Sequence, residues 1–583
     1  MPERKVIFLF VMVLAVILRV WGLEFGLPDI LHADEPIVVN KAMAFGTGDF
    51  NPHWFLIPPL TSYILFILYG IFFLAGHISG FFHSTEDFIS LYLSDPTYFY
   101  LIGRFFLGVV PSLISVIMTY KIAKDVSENE DISIAAAFFL SVNFLFVRDS
   151  HYIYADMPRI ASMLCALFYY VRISKRDKAK DYISAAFFTG LAIAFKYNSA
   201  LLVFPFLTAF FIGRNAEQTP SREIGKLFLS ILVMSAVYIF LNPFSLLDFR
   251  TFIGDFRNQS SQMSAEGITH HIYYSLLNGM SITLLTCSAL GIIRGFYLKN
   301  RTVLVLIAFI AAEYAALVFF SQPHARYVLP LIPVLCYFAA LFIYSLSGVL
   351  SRHDKSRIWF VLICLVMSFS TIVKICYSDY LFSAGDTRKD AKQWIEKNIR
   401  AGEKIALDHT FFGPGLLPDE SQIRQKIMLA EREKMSGAKT LKLKKMLETA
   451  EKNRGYKLYF LKDDPSDKEE FLSSMPQIPF SYDYLLDNNI RFIIISRVNQ
   501  DYKHADFVRR IEESSDLVAE FNPYKDTSKK YSSNRYVLTG GPFLDNEVYL
   551  RKKTGYTIQI YELGSDRNSG NISRRIKRRS RGM

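Results

Sequence analysis

The sequence predicts an α-helical polytopic membrane protein with about eleven transmembrane helices and one juxtamembrane helix, followed by a C-terminal extracytoplasmic α/β domain. The 583 residues are 51% hydrophobic and 15% aromatic, and their mean hydropathy is +0.21. Few soluble proteins of this size are so apolar. Apolar runs long enough to span a bilayer recur between residues 6 and 377. From Ser378 onward the composition is that of a soluble domain.

Charge and cysteine content narrow the class further. Lysine and arginine total 66 against 54 acidic residues, which gives a net charge of +12. Membrane topology and a solvated tail account for these cations, because many lie in short loops between apolar runs and others crowd the last ten residues. We therefore predict no nucleic-acid partner. All five cysteines lie in or beside apolar runs, so neither a disulfide framework nor a cysteine zinc site is predicted.

Positive charge in the loops predicts the topology. Basic residues at positions 4 and 5 place the N-terminus in the cytoplasm, and the first span, about 6–23, is expected to stay uncleaved. If every later apolar run crossed, the basic loop 172–180 would lie outside, against the positive-inside rule. If the run 59–78 instead lies in the interface or re-enters, every basic loop becomes cytoplasmic.

With that choice the C-terminal domain lies outside, on the same side as the longest loops of the membrane part. The inner loops are then 121–131, 172–181, 214–226, 294–301 and 351–357, and the outer segments are 24–97, 148–158, 196–198, 244–275 and 321–326. Long loops in an otherwise tightly connected bundle are where functional residues concentrate.

The first outer segment carries the sequence His32-Ala33-Asp34-Glu35-Pro36 ahead of a helical stretch that ends near two glycines. One interpretation is structural, with Asp34 as the N-cap of that helix and Pro36 in its first turn. The other is chemical, since a cap position also holds a carboxylate rigidly at a membrane surface. The two interpretations are compatible.

The other outer segments repeat this mixture of acids, imidazoles and arginines. Segment 148–159 contains Asp149, His151 and Asp156, and its tyrosines also suit an interfacial belt. Segment 244–275 ends in two adjacent histidines, and segment 322–327 contains Arg326, which could equally snorkel at the outer end of a span.

Such groups suit transfer from a lipid phosphate. A carboxylate can take the proton of an acceptor hydroxyl and so raise its nucleophilicity. Cations stabilise the departing phosphate, and the arginine fork matches two of its oxygens. The bundle of spans supplies the apolar groove that a lipid tail requires.

The order of these motifs resembles that of the protein O-mannosyltransferases and their bacterial relatives, including the lipid A aminoarabinose transferase. These are C-superfamily glycosyltransferases that use polyprenyl- or dolichyl-phosphate sugars. The resemblance extends over about residues 6–377. The matching pieces are His32 to Pro36, Pro58-Pro59-Leu60, Ile102-Gly103-Arg104, His151 to Pro158, Gly190 to Pro205, and His324 to Pro330.

The resemblance implies an inverting transfer on the extracytoplasmic face, from a polyprenyl-phosphate sugar to a lipid, glycan or protein acceptor. Asp34 would be the catalytic carboxylate, supported by Glu35, and Asp156 would complete the site. The implied donor-phosphate ligands are Arg326, Arg104 and Lys196. The implied acceptor-side residues are His151, His270 and His271.

One departure bears on metal dependence. The aminoarabinose transferase carries Glu-Lys before its Pro-Pro-Leu, where this chain has Leu56-Ile57. The first loop also lacks the Asp-x-Asp expected of metal-dependent oligosaccharyltransferases. These departures argue against an obligate metal, and no cofactor is firmly predicted; a divalent metal stays open as an alternative that the motifs do not support.

Three domains are predicted: 1–377 as the transmembrane glycosyltransferase domain, 378–567 as the extracytoplasmic α/β domain, and 568–583 as a basic, disordered tail. The second should contain a helix over 390–399, a charged helical segment over about 420–452, and strands at 404–407, 456–461, 491–495 and 556–563.

Two other functions fit a polytopic chain of this kind. A glycan ligase or polymerase would use a lipid-diphosphate donor instead. A lipid or sugar transporter usually needs ionisable groups near the bilayer midplane, and here Glu313 is the clearest of few. The scarcity of such groups counts against transport.

Overall fold

The fold was analysed in a computed structural model, and it is mostly helical with one sheet near the C-terminal end. The structure describes residues 2–214, 219–260, 267–318, 324–350, 356–408, 412–432, 437–453, 455–463, 476–497, 504–527 and 546–564. The predicted tail 568–583 lies outside this range.

Twenty α-helices lie in the described residues up to Ser383. They are α1 (Pro2–Val20), α2 (Glu35–Ala44), α3 (Leu60–Ile78), α4 (Thr85–Ser94), α5 (Thr97–Gly103), α6 (Val110–Ser127), α7 (Glu130–Ser141), α8 (Phe144–Asp149), α9 (Asp156–Arg176), α10 (Ala179–Phe195), α11 (Val203–Gly213), α12 (Pro220–Leu241), α13 (Phe244–Leu247), α14 (Phe249–Ser260), α15 (Gly267–His270), α16 (Leu277–Met280), α17 (Ile282–Tyr297), α18 (Thr302–Val318), α19 (Ile332–Leu350) and α20 (Ser356–Ser383). Short 3₁₀ segments lie at Phe45–Thr47, Tyr197–Leu202 and Ala325–Leu331, and π-helical turns at Arg104–Val109 and His271–Leu276.

Several of these helices are long and apolar enough to cross a membrane. Within the described residues they are Leu60–Ile78, Thr97–Ser127, Pro220–Leu241, Ala325–Leu350 and Arg357–Ser383. A sixth span results if His271–Met280 and Ile282–Tyr297, bent by 109°, count as one. The chain is therefore a helical protein with several apolar helices, and the count of about eleven spans stays a prediction.

Loops that the sequence assigns to the same side do contact one another. At one end of the bundle Asp131, which begins α7, pairs with Arg4 at 2.9 Å and with Arg357 at 3.7 Å. At the same end Lys175 of α9 pairs with Glu128, just after α6, at 2.8 Å. These contacts join the predicted inner loops 121–131, 172–181 and 351–357.

The opposite end gathers the predicted outer segments. Asp248 accepts a hydrogen bond from the Asn51 side chain at 3.0 Å, and Asp255 accepts one from the Phe55 amide at 2.7 Å. The Tyr197 hydroxyl donates to the Phe55 carbonyl at 2.9 Å. The segments 24–97, 196–198 and 244–275 thus meet at one end of the bundle.

Helix α3 is the run for which the sequence predicts a juxtamembrane position. Its length and composition also qualify it as a span. Residues on either side of it nevertheless meet, because the Tyr92 hydroxyl donates to the Asn40 side chain at 2.7 Å. This contact favours a helix that does not separate its flanks by a membrane, and the juxtamembrane position stays a prediction.

A close approach between backbones places the second outer segment. The π-helical turn between α5 and α6 contains Gly108, and a Cβ there would clash with the Ser150 carbonyl oxygen. A glycine lets the two backbones touch where any other residue would separate them. The segment after α8 therefore lies directly against this turn.

The C-terminal part contains a six-stranded mixed sheet with helices around it. Its elements are α21 (Thr387–Asn398), β1 (Lys404–Leu407), α22 (Glu420–Arg432), α23 (Gly437–Asn453), β2 (Lys457–Leu461), β3 (Gln477–Ile478), α24 (Tyr482–Asp487), β4 (Phe492–Arg497), α25 (Ala505–Ser514), β5 (Asp516–Phe521) and β6 (Thr557–Glu562). The strand order is β3-β2-β1-β4-β6-β5. Strands β1 to β4 pair in parallel, and β6 runs antiparallel to both of its neighbours.

Four of these strands, β1, β2, β4 and β6, lie at the predicted positions, with ends that differ by at most two residues. The sequence analysis missed β3, which is only two residues long, and β5, whose residues are largely exposed at the sheet edge. Apolar side chains cover both faces of the sheet. The domain limits 377/378 and 567/568 stay predictions.

Candidate active site

Charged side chains from four segments converge on one small cavity. Among the described residues its lining consists of His32, Asp149, Tyr152, Tyr154, Asp156, Met157 and Arg326. They come from the loop before α2, the segment between α8 and α9, the first turn of α9, and the 3₁₀ segment before α19. All four lie at the end of the bundle where the predicted outer segments meet.

Asp34 occupies the N-cap position of α2, as the structural interpretation predicts. Its side chain, however, makes no capping hydrogen bond to any described backbone amide. The carboxylate turns instead to Arg326, with 2.6 Å between Oδ2 and Nη1. The position is thus a cap in sequence terms, while the carboxylate serves the cavity.

The electrostatics of this pair keep Asp34 ionised. Burial raises the pKa of the Asp34 carboxyl, but the charge of Arg326 and its hydrogen bond to the carboxylate outweigh burial and hold the pKa below its usual range. The Asp34 amide donates to Nδ1 of His32 at 3.3 Å. Because Nδ1 acts as an acceptor and burial lowers the pKa of His32, the imidazole is neutral at pH 7.

Arg326 links Asp34 to the second half of the site. Its Nη2 donates to the Tyr154 hydroxyl at 3.0 Å, and its Cζ lies 4.1 Å from the centroid of that ring. Its Nε lies 3.9 Å from Oδ2 of Asp156, too far for a hydrogen bond. Neither of those two buried atoms has a hydrogen-bond partner among the described residues. One donor of the guanidinium therefore remains available to a ligand.

Lys196 completes the cluster from the turn between α10 and α11. Its Nζ lies 2.7 Å from Oδ1 of Asp156 and sits over the rings of Tyr154 and Tyr327. Burial lowers the pKa of Lys196 to about 8, opposed by Asp156 and assisted by the charge of Arg326. Asp34, Arg326, Asp156 and Lys196 thus form one cluster in which carboxylates and cations alternate. Arg326 and Asp156 of this cluster line the cavity.

Glu35 and Arg104 do not line this cavity. Both side chains are fully buried, and the guanidinium donates to the two Glu35 oxygens at 2.9 and 2.8 Å. Its Nη1 donates to the carbonyls of Leu23 and Phe25 at 2.7 and 2.8 Å. These hydrogen bonds occupy four of the five N–H donors of a fully buried guanidinium, so the structure does not support Arg104 as a phosphate ligand.

The Glu35–Arg104 pair instead holds the loops together. Oε1 of Glu35 also accepts the Ile153 amide at 3.0 Å. One carboxylate thus joins the loop before α2, the π-helical turn after α5 and the segment before α9. That arrangement explains how Glu35 could support Asp34 without touching a substrate.

The three histidines expected on the acceptor side lie in different surroundings. His151 is buried, and its ring contacts the carbonyls of Val147 and Trp21 at 2.9 and 3.0 Å, which is a structural arrangement. His271 is buried in the π-helical turn and contacts the Ser275 hydroxyl at 3.1 Å. His270 packs against Tyr274. Among the residues that line the cavity in the described structure, none of the three appears.

Some members of the cluster were not predicted as site residues. His32, Asp149 and Tyr154 line the cavity, and all three belong to the loops that the sequence analysis had singled out. Beneath the cluster, Arg159 pairs with Glu313 at 2.7 Å and donates to Ser199 at 2.8 Å. Both charges of that pair lie within helices, where the loop motifs gave no signal for them.

A metal-binding arrangement is not evident in the part of the chain that the structure describes. No group of three His, Cys, Asp or Glu side chains lies in ligating geometry there.

Comparison with known proteins yields a family match and distant structural neighbours. Residues 102–241 match the family model described as dolichyl-phosphate-mannose-protein mannosyltransferase. The matched segment runs from α5 to the end of α12 and includes Asp156 and Lys196. No curated protein sequence matches the chain.

Three solved structures illustrate the neighbours. ArnT from Cupriavidus metallidurans bound to undecaprenyl phosphate is 12% identical, with 88% of this chain and 96% of that chain covered and a TM-score of 0.45. The oligosaccharyltransferase of Archaeoglobus fulgidus in the apo form is 10% identical, with 96% and 88% covered and a TM-score of 0.47. The Saccharomyces cerevisiae Pmt1–Pmt2 complex bound to its sugar donor is 17% identical, with 43% and 34% covered and a TM-score of 0.33.

The family match covers residues 102–241, which include Asp156 and Lys196, and it agrees with the resemblance seen in the sequence motifs. Over this segment the chain is therefore similar to the dolichyl-phosphate-mannose-protein mannosyltransferases.

Proposed function

We propose that this glycosyltransferase moves a sugar from a polyprenyl-phosphate donor to an acceptor hydroxyl on the extracytoplasmic face, with inversion and with Asp34 as the base. The observation that carries the proposal is the alternation of Asp34, Arg326, Asp156 and Lys196 in one cluster beside the cavity. A base next to two cations is what a hydroxyl nucleophile and a phosphate leaving group require together.

The reaction proceeds by a single displacement. The acceptor oxygen attacks the anomeric carbon of the sugar and forms the new glycosidic bond. The bond from that carbon to the phosphate oxygen breaks, and its electron pair leaves with the polyprenyl phosphate. The acceptor proton goes to a carboxylate oxygen of Asp34. Attack opposite the leaving group inverts the anomeric centre.

Arg326 and Lys196 bind the donor phosphate in this proposal. The Nη1 and Nη2 edge of Arg326, whose Nη1–H is held by Asp34 in the resting site, matches two phosphate oxygens, and the free Nε–H offers a further donor. Arg326 exchanges Asp34 for phosphate when the donor enters, which frees the carboxylate for the acceptor. We do not assign Arg104 to the phosphate site, because its buried guanidinium donates to Glu35 and to two backbone carbonyls.

The aromatic rings of the cavity serve the same two cations. Tyr154 lies under Arg326, and Lys196 lies over Tyr154 and Tyr327. Cation–π contacts hold the positive charges in place without neutralising them. The cavity thus keeps its cations oriented and still able to attract an anion.

The proposed topology follows the charge distribution. The N-terminus is cytoplasmic, about eleven spans and one juxtamembrane helix form residues 1–377, and the domain 378–567 lies outside. The contacts of the two loop sets at opposite ends of the bundle support this arrangement, since the basic set contains Arg4, Lys175 and Arg357. The active site then faces the extracytoplasmic side.

The sugar donor and acceptor follow from the family description only as classes. The matched family takes a dolichyl-phosphate mannose as donor and a protein as acceptor by its description. Polyprenyl-phosphate hexoses are therefore the first donors to assay. Lipid, glycan and protein hydroxyls are the acceptors to compare.

The decisive experiment uses the full-length protein in lipid nanodiscs with dolichyl-phosphate mannose and with matched diphosphate-linked sugars. Transfer from the monophosphate donor is expected, and the Asp34→Asn variant should lose about 10²- to 10⁴-fold of it, the usual contribution of a general base. Glu24→Gln is the matched control. Glu24 is exposed on the same loop and makes no ion pair within the described residues.

Three outcomes would contradict the proposal. A fully active Asp34→Asn variant would show that Asp34 is not the base. Transfer from diphosphate donors alone would favour a glycan ligase or polymerase. Movement of the sugar lipid across the bilayer without any transfer would favour a transporter.

A further inference from the structure

A helix of the C-terminal part reaches directly to the loop that carries Asp34. Three basic side chains of α21 contact this loop. Nη1 of Arg388 donates to the Leu31 carbonyl at 2.9 Å, and Nζ of Lys389 donates to the Leu27 carbonyl at 2.9 Å. Nζ of Lys392 lies 2.6 Å from Oδ1 of Asp29. Every second residue from 27 to 31 is thus held from the same helix.

Arg388 is anchored from within the C-terminal part before it reaches the loop. Its Nε and Nη2 donate to the two oxygens of Asp386 at 2.8 and 2.9 Å. Asp386 also accepts the Thr554 hydroxyl at 2.8 Å. Beside it Gly555 has a φ of +94°, and a Cβ there would meet Oδ1 of Asp386. The turn before β6 therefore positions the guanidinium that contacts the loop.

The held residues are close in sequence to the active-site cavity. Leu31 precedes His32, which lines the cavity and stacks on Tyr152 with 4.2 Å between ring centroids. Nδ1 of His32 accepts the Asp34 amide. A continuous set of contacts therefore runs from the turn before β6 through Asp386, Arg388 and Leu31 to Asp34.

Two of the three contacts end on backbone carbonyls. A carbonyl contact places the chain itself, whereas a side-chain contact can rotate away from it. Such hydrogen bonds from charged donors are among the stronger ones in proteins. A loop held in this way keeps its carboxylate close to one orientation, and catalysis is sensitive to such orientation.

We propose that α21 positions the Asp34 loop, with Arg388, Lys389 and Lys392 as positioning residues that couple the C-terminal part to the active site. This inference deepens the proposed function and rests on it for its kinetic consequence. The C-terminal part therefore serves the transfer step itself, and residues 1–377 alone would present Asp34 on a loop that lacks these three contacts.

The structural half of the proposal is tested by hydrogen exchange of the full-length protein in nanodiscs, read on peptides that cover residues 24–36. Exchange there should rise roughly tenfold in Lys389→Ala/Lys392→Ala, because two charge-assisted hydrogen bonds are removed. Arg388→Ala should give an equal or larger rise. Lys397→Ala is the matched control on the same helix, since Lys397 is exposed and should leave this peptide unchanged.

The kinetic half separates positioning from general damage. In Lys389→Ala/Lys392→Ala, kcat should fall about tenfold, while the Kd for undecaprenyl phosphate changes less than about twofold, because Arg326 and Lys196 are untouched. When Lys392→Arg replaces Lys392→Ala in this double variant, the charge facing Asp29 is kept, and most of kcat should be restored. Arg388 also pairs with Asp386 inside the C-terminal part, so the lysine pair carries the kinetic test.

Unchanged exchange over residues 24–36 in both variants would overturn the proposal. So would an equal loss of kcat and phosphate binding with no rescue by Lys392→Arg. Failure of the proposed function is distinguishable, because a fully active Asp34→Asn variant would refute that function and leave the exchange result intact.

Discussion

Asp34 and Glu35 are adjacent in the sequence, and each pairs with an arginine, but the two pairs have different surroundings. Glu35 and Arg104 are fully buried and joined by two hydrogen bonds. Nη1 of Arg104 also donates to two backbone carbonyls. The Asp34 side chain is 19% exposed, and its partner Arg326 keeps a donor without a described partner. Both pairs would look alike in a sequence motif.

The difference separates a structural pair from a chemical one. A fully buried pair whose donors and acceptors contact protein groups is out of reach of a substrate. Removing one partner leaves an uncompensated charge. An unsaturated pair at a cavity can exchange its partner. The four predictions below follow from that contrast.

Breaking the buried pair should have the largest effect, and it should appear in stability. Arg104→Ala is expected to cost about 3–5 kcal/mol of unfolding free energy, because Glu35 is left buried and charged. Thermal unfolding in detergent measures this loss. Asp34→Asn in the same assay should change stability by less than about 0.5 kcal/mol.

An exposed ion pair gives the matched control for Arg104. Arg424 pairs with Glu420 at 2.7 Å, with both side chains about half exposed. Arg424→Ala should therefore cost less than about 1 kcal/mol. Equal losses in Arg104→Ala and Arg424→Ala would mean that burial does not distinguish the pairs.

Replacing the fork of Arg326 should reduce transfer without unfolding the protein. Arg326→Lys keeps one charge but loses the two-pronged geometry, so kcat/KM should fall by roughly ten- to a hundredfold, or about 1.5–3 kcal/mol. Steady-state kinetics with dolichyl-phosphate mannose measures the change. Arg250→Lys, on an exposed residue of α14, is the control. A wild-type rate for Arg326→Lys would argue against bidentate phosphate binding.

The pH dependence of donor binding should report Lys196. Its pKa is lowered to about 8 in the ligand-free site, so the amine is charged below that pH and becomes neutral above it. Only the charged form attracts phosphate, and the Kd for undecaprenyl phosphate should rise up to tenfold between about pH 8 and 9. A side chain with the ordinary lysine pKa would remain charged across this range. Lys196→Arg should therefore give a flat profile, and a sloping one would assign the titration to another group.

The smallest effect is expected at Tyr154. Tyr154→Phe removes the acceptor of an Arg326 hydrogen bond at 3.0 Å but keeps the ring beneath the guanidinium. The expected loss in kcat/KM is about 0.5–1.5 kcal/mol, a few-fold change. Tyr98→Phe, on a half-exposed ring, serves as the control. If Tyr154→Phe lowers kcat/KM as much as Arg326→Lys does, the Tyr154 hydroxyl itself takes part in the reaction.

The composition of the site could be predicted from the sequence, because its acids and cations lie in loops between apolar runs. The partners could not. Asp34 contacts an arginine 292 residues away, and Glu35 contacts one 69 residues away. Adjacent residues at a helix start point in directions about 100° apart, so one faces the cavity and the other the core. Only the fold shows which is which.

The fold was predictable to a similar degree. Strands β1, β2, β4 and β6 carry enough apolar residues to be recognised, whereas β3 is two residues long and β5 is an exposed edge strand. Edge strands are shaped by pairing with a neighbour more than by their own composition. Glu313 could be singled out as an ionisable residue within a span, but its pairing with Arg159 could not be predicted because the contact is purely tertiary.

The salt bridge between Asp34 and Arg326 has a consequence for the end of the catalytic cycle. In the proposed mechanism the carboxylate carries the acceptor proton after transfer and cannot compete for the guanidinium, so the spent lipid stays bound. Loss of that proton restores the negative charge, and Asp34 then displaces the phosphate from Arg326. Product escape and regeneration of the base are in this way one event, and an enzyme lacking the carboxylate would be inhibited by its own spent carrier.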